Sequence, residues 1–230
     1  YTDVDGVYTA DPRIVPDAQK MEEVTYDEML EMASLGAKVL HSRCVEIAKK
    51  YGVELLVCSS LNRNSGTIVR ENTKMEKMLI SGVAADKNVA KIRVAGLGND
   101  PDSTFRLLNV LDKNNLNIDV MIQSLGKDGT KSVSFTVAKP DLLRALDLLN
   151  DNKDYLGIKK LDSDEKVAKV SVIGAGIRSH SGVAAKMFGA LASIGVNTEM
   201  VTTSEIRITV LIDEEYTDLA MRKLHETFIN

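Results

Sequence analysis

Two glycine-bearing stretches hold the residues of this sequence best placed to do chemistry. One, VIGAGIRSHSG from Val172, carries Gly174, Gly176 and Gly182 and opens an apolar helical run; the other, VAGLGND from Val94, opens a second such run. A loop that opens a helix presents unpaired backbone N–H groups and the positive end of the helix dipole, which suits an anion. VAGLGND lacks the third glycine at its spacing and the βαβ crossover, so it is not a dinucleotide fingerprint. Asp3 and Asp5 invite a calcium loop, but the downstream Glu of such a loop is missing. His41, His180 and His225 are scattered, without metal-ligand spacing. Met29, Met32, Met187, Met200 and Met221 fall at core-facing positions and read as packing. His41 early in a helix reads as structural.

The elements that position these loops form an internal repeat. Lys166 to Ile212 reads as strand, glycine loop, helix, strand, turn, strand. Val167-Ala168-Lys169 repeats Val89-Ala90-Lys91, Gly174 falls on Gly96, Asn197 on Asn117, Glu199 on Asp119 and Ser204 on Ser124. The helical stripes are Ala184, Met187, Phe188, Leu191 in one copy and Thr104, Leu107, Leu108, Leu111 in the other. The first copy reads as strand 89–97, helix 102–114, strand 117–125, a Gly126–Gly129 hairpin turn, strand 132–138, a helix opened by Pro140, and a last strand over Tyr155 to Leu161. That order is βαββαβ, the ferredoxin-like plan. The second copy ends after its second helix, about 215–228, one strand short. The run from Met78 to Ala85 belongs to neither copy and is expected to fill that place, so that the first repeat is inserted in the second.

The composition is that of an ordinary globular chain. Its 230 residues are 44% apolar and 27% charged, with a net charge of -4 that leaves no basic footprint for nucleic acid. No apolar run is long enough to span a bilayer and no signal peptide is visible, so no membrane partner is expected. Cys44 and Cys58 read as free thiols in a reducing cytoplasm. Residues 1–17 are loop-rich and acidic. Thr25-Tyr26-Asp27-Glu28 is a capping box that opens a helix carrying Met29, Met32 and Ala33. A second helix carries Leu40, Cys44, Ile47 and Tyr51 on one stripe; Val53 to Cys58 reads as a buried strand, and the polar residues 59–78 as a boundary. The start at Tyr1 rather than Met reads as a fragment, or as a chain from which something upstream was removed.

TDVDGVYTADPR followed by MASLGAKVLHSR, then two βαββαβ units with Asn117-Ile118-Asp119 and Thr203-Ser204-Glu205 near their second strands, resembles the aspartate kinases over the whole chain. The resemblance implies an α+β chain: the carboxyl-terminal part of an α/β amino-acid kinase domain (1–70), then ferredoxin-like ACT domains at 88–163 and at 76–87 plus 164–230, the first inserted in the second. It implies phosphorylation of the β-carboxylate of L-aspartate by ATP with Mg²⁺, and feedback inhibition by lysine, threonine or both. It implies that this chain by itself is inactive, because the lobe with the lysine-glycine phosphate loop is absent. A free-standing regulatory subunit, or an ACT sensor on another kinase of the same fold, are the rival readings. Departures from the family pattern are Pro101-Asp102 for a Pro-Gly pair, Asn99 for Asp, and Ser42 for Pro.

Carried onto this sequence, the family's ATP contacts fall on Thr2, Asp3, Tyr8, Arg13, Lys38 and Val39. Arg13 and Lys38 can sit beside phosphate oxygens, and Tyr8 with the backbone at Val39 can hold base or ribose. In that family the effector lies between the first ACT unit and the second, within or across subunits, which implies one wall of Asn99, Ser103, Thr104, Asn117, Ile118, Asp119 and Gln123 and another of Val183, Ala184, Asn197, Thr198, Ser204 and Glu205. An amino acid's carboxylate suits the helix starts at 99–104 and 177–184. Its ammonium suits Asp119, Gln123, Asn197 or Glu205, and Asp119 or Glu205 could hold the far amine of lysine. The family also implies a homodimer or higher oligomer through the ACT sheet edges, or pairing with a catalytic subunit.

Overall fold

The computed structural model describes residues 4–37, 39–61, 65–73 and 79–229. They fall into two compact units, one of residues 1–87 and 169–230 and one of residues 88–168. The first unit opens with a small sheet. Its strands β1 (Glu23–Thr25), β2 (Leu55–Val57) and β3 (Thr67–Arg70) lie in the order β1-β3-β2, with β1 parallel and β2 antiparallel to β3. Helix α1 (Tyr26–Ser34) starts at the expected capping box, where Thr25 and Glu28 bond reciprocally. Helix α2 (Ser42–Tyr51) ends at Gly52, whose φ of 64° is cheap only for glycine.

Three expectations for this region are corrected. The buried residues of α2 are Val45 and Ala48, whereas Cys44, Ile47 and Tyr51 are exposed. The helix starts after Leu40 and shows the core a face turned one residue from the expected stripe. Strand β2 is not fully buried: it is an edge strand, and Leu56 is 63% exposed. The stretch expected as a boundary contains β3, the middle strand, with Thr67 and Val69 buried.

Strand β4 (Gly82–Leu97) and strand β7 (Lys160–Ile173) are each divided between the two units. The two strands expected at 79–85 and 89–97 are thus one, beginning at Gly82. Between them lie α3 (Asp102–Asp112), β5 (Met121–Leu125), β6 (Lys131–Ala138), α4 (Leu142–Asp151) and the short α5 (Lys153–Leu156). The sheet of the 88–168 unit runs β5-β6-β4-β7, and Ile92, Leu107, Leu111, Phe135 and Leu149 fill its core. Its α3 buries Leu107 and Leu111 of the expected stripe together with Ser103, while Thr104 and Leu108 are half-buried. The last strand expected from Tyr155 starts at Lys160 instead. Residues 153–156 add a helical turn that seats Leu156 in the core and ends at Gly157, φ 71°. Strand β5 likewise starts four residues after Asn117. The N–H groups of Asp119 and Val120 both turn to Thr136, onto its carbonyl at 3.2 Å and its Oγ1 at 3.1 Å, so the ladder cannot begin there.

The chain returns to the first unit with α6 (Val183–Ser193), β8 (Met200–Thr203), β9 (Arg207–Asp213) and α7 (Thr217–Phe228). The order here is β4-β7-β9-β8, so residues 82–87 of β4 take the fourth place that the second repeat lacks. Helix α6 buries Val183, Met187, Ala190 and Leu191, while Ala184 of the expected stripe is exposed. Residues 79–81 run close over the loop after β7. A Cβ on Gly174 would stand 2.5 Å from the Leu79 carbonyl oxygen, and one on Gly176 2.6 Å from the Leu79 Cα. The amino-terminal residues pack into this same unit. Ala10 and Val15 share a core with Val172, Met187 and Met221, while Met29 and Met32 share another with Ala84 and Ile173.

Candidate functional site

Among the described residues, Tyr8, Arg13 and Val39 of those expected at the nucleotide have separate partners. Thr2, Asp3 and Lys38 lie outside the described residues. The Tyr8 hydroxyl donates to Asp5 Oδ1 at 3.0 Å, and Lys20 Nζ stands 3.5 Å from Asp5 Oδ2. The Tyr8 hydrogen bond, aided by Lys20, holds the Asp5 carboxyl below its ordinary range; burial and then Asp5 raise the Tyr8 phenol, which therefore stays a neutral donor. Arg13 donates from Nε and Nη2 to Asp11, at 3.0 and 2.7 Å, on a side chain 88% exposed. Its guanidinium keeps Asp11 below the usual carboxylate range. Val39 sits in the turn between α1 and α2, partly buried against the core.

In the first repeat the loop before α3 is tightly organised around Asp100. The Asp102 N–H and Arg106 Nη2 reach Asp100 Oδ1 at 3.1 and 3.2 Å, and Ser103 Oγ donates to the Asp100 carbonyl at 3.0 Å. Asn99 is exposed beside this loop and Ser103 is buried beneath it. Thr104 Oγ1 donates to Gln123 Oε1 at 2.6 Å, which brings the helix start and strand β5 together. Asn117 and Asp119 are exposed on either side of the half-buried Ile118, on the irregular approach to β5. Pro101, at the N-cap of α3, makes no side-chain cap, and Asp100 instead takes the first N–H groups, that of Asp102 on Oδ1 and that of Ser103 on its carbonyl.

The second repeat is arranged alike. Helix α6 starts at Gly182, φ 100°, also without a side-chain cap. Val183 points into the core and Ala184 is exposed. Asn197 is exposed and Thr198 half-buried before β8. Ser204 N–H donates to the Arg207 carbonyl at 2.8 Å, closing the turn between β8 and β9 with Glu205 at its exposed tip. Arg178, from the loop before α6, is 3.1 Å from Glu205. In each repeat, then, a side chain from the start of the helix or the loop before it is bonded to one on or just after the second strand.

Sequence reasoning missed the basic residue that opens the third strand of each repeat. Lys131 Nζ donates to the Asp100 carbonyl at 2.8 Å and lies 3.2 Å from Ser103 Oγ, placing a cation at the start of α3. Arg207 forms an ion pair with Glu31 of α1 at 2.8 Å. Comparing the two repeats could have exposed both, since each is the first residue of its strand. It also missed Glu28 beyond its cap and the pair Thr9 Oγ1 to His225 Nε2, 2.8 Å and buried. Their partners lie too far along the chain for any local pattern to reveal.

Residues 1–59 match the profile of the Amino acid kinase family, and residues 170–228 that of the ACT domain. The aspartokinase of Pseudomonas aeruginosa is 44% identical over 231 residues, covering 99% of this chain and 56% of that protein. The chain thus spans just over half the length of the curated relatives it matches. In a crystal structure of aspartokinase alpha and beta subunits, one chain is 43% identical with a TM-score of 0.62, covering 65% of this chain and 98% of that one. E. coli aspartokinase III, crystallised with aspartate and ADP (R-state) and with lysine and aspartate (T-state), is 26% identical, with TM-scores of 0.87 and 0.81. Those two alignments cover 100% of this chain and 52% and 51% of theirs. An amino acid kinase segment and an ACT segment lie in one chain that matches an aspartokinase over 99% of its length, and it belongs to the aspartokinase family.

Proposed function

We propose that this chain is the regulatory end of an aspartate kinase, joined to the nucleotide-binding end of its catalytic domain. The whole enzyme transfers the γ-phosphoryl group of ATP to the β-carboxylate of L-aspartate. Mg²⁺ arrives on the nucleotide phosphates, and Tyr8, Arg13 and Val39, with Thr2, Asp3 and Lys38, hold that nucleotide. Arg13 is exposed and needs only to exchange the Asp11 carboxylate for a phosphate oxygen. Free lysine, threonine or both bind the ACT repeats and inhibit. The enzyme works in the cytoplasm as a homodimer or larger assembly through its ACT sheet edges.

The observation that carries this reading is a side-chain bond in each repeat between the helix-entry segment and the second-strand region: Thr104–Gln123 in one and, at other positions of the repeat, Arg178–Glu205 in the other. The first sets the start of α3, held by Asp100, beside Gln123 of β5, and the second sets the loop that enters the uncapped α6 beside Glu205 after β8. The effector carboxylate takes the N–H groups of the helix start, where the dipole favours negative charge. Its ammonium takes Asp119 and Gln123 in one repeat or Asn197 and Glu205 in the other, and a lysine side chain ends on Asp119 or Glu205. Binding can shift the kinase only by the difference in affinity between its states, typically ~1–3 kcal/mol.

The test is formation of aspartyl hydroxamate from L-aspartate, ATP and hydroxylamine by the complete protein, suppressed by lysine or threonine; no hydroxamate refutes the reading. The 230-residue chain alone is expected to form none. The 98% coverage of one alpha/beta aspartokinase chain favours a second reading, a regulatory subunit that pairs with a catalytic chain. A continuous reading frame upstream of Tyr1 encoding a lysine-glycine phosphate loop would exclude it.

A further inference from the structure

Helix α1 carries two carboxylates one turn apart, and each reaches a different loop of the second repeat. Glu28 is only 6% exposed. Its Oε2 caps its own helix, accepting from Thr25 Oγ1 at 2.7 Å and from the Thr25 N–H at 3.3 Å. Its Oε1 leaves the helix altogether. It accepts from Ser81 Oγ at 2.5 Å and from the Ala175 N–H at 3.4 Å, inside the glycine loop that runs on to α6. Glu31 reaches Arg207, at the foot of the Ser204–Arg207 turn. The two loops are tied to each other as well: the Gly174 N–H donates to the Ile206 carbonyl at 2.9 Å, and Arg178 pairs with Glu205.

A capping box needs one carboxylate oxygen. The second oxygen of Glu28, buried and doubly hydrogen-bonded across the fold, has no local role. We infer that Glu28 is a positioning residue through which α1 senses the 174–182 loop, so that a change in that loop on amino-acid binding is passed to the nucleotide-binding segment. This rests on the reading of the repeats as amino-acid sensors. Little slack exists for the change to dissipate. A Cβ on Gly82 would stand 2.7 Å from the end of Met32 on α1 and 2.9 Å from the Thr9 carbonyl oxygen. The Val83 N–H donates to that same Thr9 carbonyl at 2.7 Å, so α1, β4 and the loop carrying Tyr8 are in direct contact. Packed elements of this kind shift between discrete arrangements rather than deform smoothly.

The experiment is hydrogen–deuterium exchange of the 230-residue chain, with and without saturating L-lysine or L-threonine, in wild type, Ser81→Ala and Glu28→Gln. Ser81→Ala leaves the capping box intact, and Gln is itself accepted in such a box, so at least one variant keeps α1 folded. In wild type an amino acid should change exchange both at 174–207 and at 26–34. In the variants binding and the change at 174–207 persist, while the change at 26–34 falls by about fivefold or more, the low end of ordinary coupling. An unaltered change at 26–34 in both variants, a wild-type response confined to 174–207, or loss of binding in both variants overturns the inference alone. No response to either amino acid anywhere in wild type overturns the sensor reading and the inference with it.

Discussion

Three glycines of the second repeat should answer differently to the same added methyl group. Gly174 has extended backbone, φ 169°, which any residue can adopt, so Gly174→Ala is a purely steric change. Its Cβ would stand 2.5 Å from the Leu79 carbonyl oxygen, 2.6 Å from the Ile80 Cα and 2.9 Å from the Ser81 N, all of them backbone atoms that cannot swing aside. Residues 79–81 must retreat, and the 2.7 Å bond from the Ser81 N–H to the Ile173 carbonyl goes with them. Overpacking of this kind costs about 1–3 kcal/mol, and the lost hydrogen bond adds roughly 1 kcal/mol. Gly182 meets nothing within 4 Å, but its φ is 100°; Gly182→Ala should cost about 1–2 kcal/mol through backbone strain alone. Gly189 also meets nothing within 4 Å, and it lies mid-helix in α6. Gly189→Ala should therefore stabilise by about 0.5–1 kcal/mol. Urea denaturation followed by far-ultraviolet circular dichroism gives each value from the midpoint, provided the slope is unchanged. If Gly174→Ala proved as stable as Gly189→Ala, the close approach of residues 79–81 to this loop would be refuted.

Other outcomes follow from the cores and from one buried base. Phe135→Ala empties the centre of the 88–168 unit, where the side chain is 0% exposed, and should cost about 3–5 kcal/mol in the same assay. His225 is buried against Thr9, and desolvation pushes its imidazole below the ordinary range, with Asp17 opposing. The unfolded chain thus takes up the proton first. Stability from this group is complete above about pH 6.5 and is lost as pH falls toward the folded-state value. The urea midpoint should decline below that pH in wild type and decline less in His225→Gln; equal declines would exclude His225 as the cause.

How far the sequence could be read depended on the range of the interaction concerned. The Thr25–Glu28 box and the Gly126–Gly129 turn are local patterns, and the structure contains both. The missing strand of the second repeat was legible because a duplicated plan shows what it lacks, and residues 82–87 take that place. The helix face was read one residue off in α2, whereas Leu107 and Leu111 of α3 and Met187 and Leu191 of α6 are buried as expected and Thr104 and Ala184, at the edges of those stripes, are not. Periodicity gives the spacing of a stripe, but the facing sheet selects its rotation, as Val45 and Ala48 demonstrate. Tyr155 to Leu161 read as a strand, yet Leu156 is drawn into the core on a helical turn over residues 153–156. At the site, the Thr104–Gln123 and Arg178–Glu205 bonds join residues whose strand and loop the repeat had already marked. The links from Glu28 to Ser81 and from Thr9 to His225 span 53 and 216 residues, and no pattern along the chain encodes them.

The most direct test of the account is calorimetric titration of the 230-residue chain with L-lysine and with L-threonine, beside Asp119→Ala and Glu205→Ala. Losing a charge-assisted hydrogen bond worth about 1.5–3 kcal/mol should weaken binding by roughly tenfold or more in at least one variant. Saturable binding by wild type with that loss is the predicted result. No saturable heat with either amino acid, or wild-type affinity in both variants, would contradict it.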